Sequence, residues 1–83
     1  MNKDDSHYQP ISCDIHSQYE LAIIQCKDLN LIWHEQGQIR EATVTPLDLQ
    51  TKHQQEFLIA KDQHGEVLSI RLDHIQSHTI VER

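Results

Sequence analysis

Apolar residues recur every three or four positions near the start of the chain, which is the period of a helix with one buried face. This spacing predicts a helix over residues 13–27. Ser12, Cys13 and Asp14 are candidates for its N-terminal cap. The Asp14 carboxylate suits the exposed N–H groups and the positive charge at a helix start. The apolar stripe consists of Ile15, Tyr19, Ala22, Ile23 and Cys26, and it is widened by Leu21 and Ile24.

The period changes to two after residue 28, which indicates β-strands. Leu29, Leu31 and Trp33 alternate with residues that face the other side. Gln36 and Gly37 form the first tight turn, because glycine readily takes a positive φ angle. Further alternating or β-branched runs follow, and strands are predicted over residues 29–35, 38–44, 55–61, 66–72 and 75–81.

Residues 45–54 break the strand pattern. Pro46 cannot donate a ladder hydrogen bond, which argues against a continuous strand. We expect Leu47 and Leu49 to point inward, while residues 51–54 face water. The exposed part is a candidate binding loop, because exposed loops on rigid scaffolds often bind partners.

The order of elements, one helix and then five strands joined mostly as hairpins, limits the fold. A flat sheet of this kind would leave open edges and a bare face, whereas bending it into a barrel protects both. The predicted fold is mostly β with one N-terminal helix, and the strands form a small, strongly bent, five-stranded antiparallel barrel, similar to Sm-like barrels. We expect a single domain over residues 1–83, with the barrel over residues 29–81 and a mobile polar tail over residues 1–7.

Composition and charge indicate a small folded domain with an acidic surface. The 83 residues are 37% hydrophobic and 24% charged, which is a foldable composition. With 13 acidic against 7 basic residues, the formal net charge is −6. An acidic surface repels phosphates, so we expect no direct nucleic acid binding and a basic protein as partner. Mild acidity can also serve solubility alone, and charge by itself leaves that alternative open.

The cysteines and the apolar runs bear on the location of the protein. Cys13 and Cys26 flank the predicted helix, about 20 Å apart at its rise per residue, whereas a disulfide needs Cα atoms within about 7 Å. Free thiols are usual in reducing compartments. No apolar run approaches the ~20 residues that span a bilayer, and residues 1–7 lack a signal-peptide core. We therefore expect a cytoplasmic protein without a membrane partner.

Residue spacing gives little support to metal or catalytic chemistry. Of the 7 histidines, six are scattered over the helix, strands and turns, and they share no zinc-site spacing with the cysteines. There is no phosphate loop or nucleophile elbow. Cys13 is a candidate nucleophile at a helix start, but we expect a small, buried or half-buried structural residue. We therefore expect no metal, no cofactor and no enzyme activity.

Three stretches of the sequence match one bacterial family in order and in spacing. They are Tyr8-Gln9-Pro10-Ile11-Ser12-Cys13-Asp14, Glu20-Leu21-Ala22 and Arg71-Leu72-Asp73-His74-Ile75. Through them the chain resembles the Rof family, which inhibits the transcription terminator Rho. The resemblance implies an Sm-like barrel with an N-terminal helix, binding to the N-terminal RNA-binding domain of Rho, and block of its RNA loading. The family often carries further acids after the motif aspartate, where this chain has Ile15, His16 and Ser17.

The helix and the exposed loop supply the residues expected to contact the partner. They are Asp14, Ser17, Gln18, Glu20, His53 and Gln54. Carboxylates pair well with the Arg and Lys of an RNA-binding site. Asp14 could instead be a plain cap, Glu20 could be a solvated helix charge, and Tyr8 could stack on the partner or, as we favour, hold the N-terminus against the barrel. We expect a monomer.

The second functional class that the sequence allows is an Sm-like RNA-binding module. Such a module needs a basic or aromatic face for RNA. The 4 aromatic residues of this chain stand mostly at core-like positions, and cations are few. The electrostatics therefore favour the protein inhibitor.

Overall fold

The computed structural model describes residues 12–81, which form one helix, five strands and a short 3-10 turn. All strand pairs are antiparallel, in the order β4-β3-β2-β1-β5. The predicted class, a mostly β fold with one N-terminal helix and a small, strongly bent, five-stranded barrel, is confirmed. The expected tail and Tyr8 lie outside the described residues. The elements are α1 (Cys13–Ile24), β1 (Asp28–Glu35), β2 (Gln38–Lys52), β3 (Gln55–Lys61), β4 (Val67–Arg71), the 3-10 turn Leu72–His74, and β5 (Ile75–Val81).

The start of α1 is fixed by Ser12. Its hydroxyl accepts a hydrogen bond from the Ile15 N–H at 3.2 Å, so Ser12 is the N-cap. Asp14 lies inside the first turn instead. There its negative charge stabilises the helix through the dipole rather than through a cap hydrogen bond.

The end of α1 is a Schellman motif. The Lys27 N–H donates to the Ala22 carbonyl and the Cys26 N–H donates to the Ile23 carbonyl. Cys26 takes the left-handed conformation with φ 57°, as the residue after such a helix end does. The helix therefore ends at Ile24, and its predicted extension to residue 27 is wrong, because the chain turns left-handed at a residue that is not glycine.

Strand β2 continues where the sequence predicted a break. It pairs with β1 along its first half and with β3 along its second half, so a single bent strand joins both parts of the barrel. The pairing register shifts between Pro46 and Asp48. The extra, unpaired residue is Leu47, and Pro46 lies directly beside it, opposite Ala60. Sheets tolerate proline next to a bulge, where the hydrogen-bond ladder is already disrupted. The bulge is also where β2 can bend.

The core of the described residues is one hydrophobic cluster between the strands and the inner face of α1. The alternation predicted for β1 is confirmed, since Leu29, Leu31 and Trp33 are all buried. Tyr19 and Ala22 contribute the helix side of the cluster. The remaining members are Val44, Leu58, Ala60, Ile70 and Leu72.

Several residues expected inside are exposed. Leu21 and Ile24 of α1 are 52% and 74% exposed, and Leu47 of β2 is 42% exposed. The helix buries only the narrow face around Tyr19 and Ala22, so residues at the margin of the stripe face solvent. Cys13 and Cys26 are exposed free thiols. The expectation that Cys13 is buried or half-buried is wrong, because the first helical residue projects beyond the core. Within residues 12–81, no helix is long and apolar enough to cross a membrane.

Candidate protein-binding surface

The outer side of α1 carries the predicted contact residues. Asp14, Ser17, Gln18 and Glu20 are all exposed. They do not share one neighbour, however. Gln18 faces β5, where it meets His78, whereas Glu20 lies beside His16 on the side of β3.

His16 connects the helix to the hairpin formed by β2 and β3. Its Nδ1 lies 3.9 Å from Glu20 Oε2, and its Nε2 lies 3.6 Å from Glu56 Oε2. Glu56 stands near the start of β3, two residues after Gln54, which is roughly 7 Å along a strand. The two sequence-predicted segments therefore lie next to each other in space, with one imidazole between two carboxylates.

The predicted loop at residues 51–54 is much shorter in the structure. Thr51 and Lys52 remain in β2, and only His53 and Gln54 form the turn. Both have positive φ angles, 51° and 65°. Positive φ at both central residues is typical of the type I′ hairpin turn, in which Asn-Gly is the preferred pair. Neither residue here is glycine, and both side chains are exposed.

The other hairpin offers a direct comparison. Between β1 and β2, Gln36 and Gly37 also have positive φ angles, 53° and 79°. There the second position is glycine, which takes this conformation without a steric cost. The β2–β3 turn instead keeps a side chain at both positions. Strained backbone of this kind is concentrated at functional sites in proteins.

A second contact holds the other side of α1 to the sheet. His78 Nε2 lies 2.6 Å from Gln18 Oε1, and the Tyr19 hydroxyl lies 3.5 Å from His78 Nδ1. An amide oxygen only accepts, so Nε2 donates and Nδ1 is left to accept from the tyrosine. Burial lowers the pKa of His78 and raises the pKa of Tyr19 to about 12. Gln18 thus contacts β5 and remains exposed, so all four predicted helix residues stay candidates for contact with a partner.

We call the joined region the helix–hairpin surface and define it by Asp14, His16, Ser17, Gln18, Glu20, His53, Gln54 and Glu56. The sequence prediction missed His16 and Glu56. Their contact joins residues far apart in the chain, and no local pattern signals it. Over the described part of the chain, no group of three or more His, Cys, Asp or Glu side chains is arranged to hold a metal ion.

Comparisons with known proteins address the fold and not the activity. No protein-family model matches the chain. No curated protein matches it either. Among solved structures, the chain is similar to proteasome accessory factor B/C (PafBC) of Arthrobacter aurescens, with a TM-score of 0.76 and 21% identity over 90% of this chain. It spans 13% of the length of that protein. At this identity the similarity shows a shared small β-barrel fold.

Proposed function

We propose that this protein inhibits the transcription terminator Rho by binding its N-terminal RNA-binding domain and blocking RNA loading. The observation that carries the proposal is the contact of His16 with Glu20 and Glu56. It makes one continuous surface of the two segments that the sequence nominates separately. A single partner domain could touch both.

The charge of this surface suits a site that normally binds RNA. Asp14, Glu20 and Glu56 supply carboxylates, and the whole chain carries a net charge of −6. Arginine and lysine side chains that hold phosphates also pair with carboxylates, because both ligands offer anionic oxygens. The protein would thereby occupy the RNA site without any chemical reaction.

The β2–β3 turn supports a role in contact. Glycine at position 54 would relieve the left-handed backbone, yet the chain has glutamine there. The exposed side chains of His53 and Gln54 can donate and accept hydrogen bonds at the rim of a partner. Such bonds would supplement a surface in which Ile15, His16 and Ser17 stand where more acids would increase the charge.

The helix residues can be tested by charge reversal with a matched control. Glu20→Lys should weaken binding to purified Rho about tenfold at low salt, equivalent to about 1.4 kcal/mol. Glu41→Lys makes the same charge change at another exposed position, on β2, and should weaken binding much less. A pull-down with purified Rho at two salt concentrations measures both. Equal losses for the two variants would contradict a localised surface.

A substitution of Asp14 distinguishes a role in partner contact from a role in helix stability. Ser12 supplies the cap hydrogen bond, so Asp14→Lys leaves the cap in place. It removes a favourable dipole interaction and adds an unfavourable one, each about 0.3–1 kcal/mol. We expect a loss of Rho inhibition with a Tm that falls by about 2–16 °C while the protein stays folded. Retained inhibition would assign Asp14 to the helix alone. Direct binding of RNA by this protein, without binding to Rho, would favour the Sm-like RNA-binding module instead.

A further inference from the structure

A groove separates the C-terminal half of α1 from the second half of β2. Its volume is about 400 Å³, and it is lined by Glu20, Ile23, Ile24, Asp48 and Leu49. Ile23 and Leu49 pack against the hydrophobic core and form a fixed apolar floor. Ile24 is 74% exposed, the largest exposed fraction among the large hydrophobic residues of the described chain. The groove therefore offers apolar surface that the fold itself does not cover.

Negative charge borders this apolar surface. Glu20 and Asp48 are both exposed and belong to different elements. One oxygen of Asp48 accepts a hydrogen bond from the Leu49 N–H at 2.9 Å, which fixes the carboxylate at the groove. The last turn of α1 contains no basic residue, so the negative end of the helix dipole has no cation within that turn.

These features complement a partner that is both apolar and cationic. We propose that the groove binds a basic amphipathic helical segment of another protein. Its apolar side chains would cover Ile24 and the floor, and its Lys or Arg side chains would approach Glu20 and Asp48. Helix-in-groove binding uses this combination of a hydrophobic face and flanking charges. The proposal does not depend on Rho being the partner, although Glu20 belongs to the helix–hairpin surface as well.

A model peptide tests the chemistry directly. The probe is a short helical peptide of leucine and lysine with its leucines along one face, titrated into the full-length protein by calorimetry. A peptide of the same pattern with glutamate in place of lysine is the charge control. We expect measurable binding of the lysine peptide that weakens as salt rises, and at least tenfold weaker binding of the glutamate peptide.

Variants of the protein localise the binding. Ile24→Ser should weaken the lysine peptide about tenfold. The matched control Ile39→Ser changes another exposed isoleucine, 63% exposed on β2, and should have little effect. Asp48→Asn keeps an oxygen for the Leu49 N–H and should weaken binding about two- to fivefold at low salt.

The peptide experiments test the groove proposal without testing the proposed binding to Rho. No binding of the lysine peptide would overturn the proposal. Equal losses for Ile24→Ser and Ile39→Ser, or equal affinity of the glutamate peptide, would also overturn it. None of these results would affect a Rho complex that is lost in Glu20→Lys and retained in Glu41→Lys.

Discussion

In the β2–β3 turn, we expect Gln54 to favour binding to Rho at the expense of stability. Gln54 has φ 65°, and a left-handed backbone costs a residue with a Cβ about 1–2 kcal/mol. Glycine removes this cost but loses about 0.5–1 kcal/mol through the greater freedom of the unfolded chain. Gln54→Gly should therefore raise the free energy of unfolding by about 0.5–1 kcal/mol, which is about 2–8 °C in Tm for a domain of this size.

The same variant should bind Rho less well. Losing one side-chain hydrogen bond costs about 0.5–1.5 kcal/mol, or about two- to twelvefold in Kd. Thermal denaturation and a binding titration on one preparation give both values. Gln36→Gly is the matched control, because Gln36 has φ 53° in the other hairpin. It should stabilise the protein without changing the affinity.

The first hairpin also supplies the reverse experiment. Gly37 has φ 79°, and an added Cβ would meet no atom within 4 Å. Gly37→Gln should therefore destabilise the protein by about 0.5–1 kcal/mol, because the backbone strain exceeds the gain from a less flexible unfolded chain. A lower Tm in Gln54→Gly would refute the strain argument. A higher Tm with unchanged Rho affinity would refute the binding role of Gln54.

Three further predictions concern His78 of β5, the inner face of α1, and the turn that follows the helix. Because burial lowers the folded-state pKa of His78, the unfolded chain takes up this proton first as the pH falls, and stability should decrease below about pH 6.5. Urea titrations at several pH values should show that the free energy of unfolding falls less with decreasing pH in His78→Phe. An identical fall in the variant would contradict the assignment. Burial raises the pKa of Tyr19 to about 12, so stability should fall above pH ~10, by at most about 1.4 kcal/mol per pH unit. If Tyr19→Phe loses the same free energy of unfolding per pH unit in this range, the prediction is wrong. Cys26→Gly places glycine at φ 57° and should raise the free energy of unfolding by about 0.5–1 kcal/mol, whereas a lower Tm would show that the helix end depends on the cysteine.

The strands were the most predictable part of this fold. Burial on one face of β1 imposes a strict alternation, and Leu29, Leu31 and Trp33 display it in the sequence. Helix ends were less predictable. The α1 terminus has Cys26 where glycine usually signals the stop, and Ser12 competes with two neighbouring capping candidates. Local sequence offers several caps, and only the folded backbone selects one.

The strand break predicted at Pro46 was wrong for a different reason, since β2 continues through this residue. Proline cannot donate a ladder hydrogen bond, but a strand tolerates it beside a bulge, where the ladder is already disrupted. The sequence shows the missing donor and does not show the register shift that makes it harmless. The exposure of Ile24 was missed because a helical period gives the direction of a face and not the width that neighbouring strands cover.

The candidate site was predictable as separate parts. Exposed polar residues on α1 and on a turn can be recognised from local patterns. Their proximity depends on His16 reaching Glu56, a contact that only the packing of α1 on the sheet creates. Likewise, nothing local indicates that Gln18 is engaged by His78. The sequence therefore nominates contact residues, and the structure shows which of them have neighbours from other elements.

The most direct test of the proposed function is displacement of a fluorescently labelled RNA from the N-terminal RNA-binding domain of purified Rho. We expect the protein to release the RNA at low salt, to do so less effectively as salt rises, and to lose this ability in Glu20→Lys while keeping it in Glu41→Lys. RNA that stays bound to Rho in the presence of excess protein would contradict the central claim. Equal displacement by both charge-reversal variants would contradict the helix–hairpin surface as the site of contact.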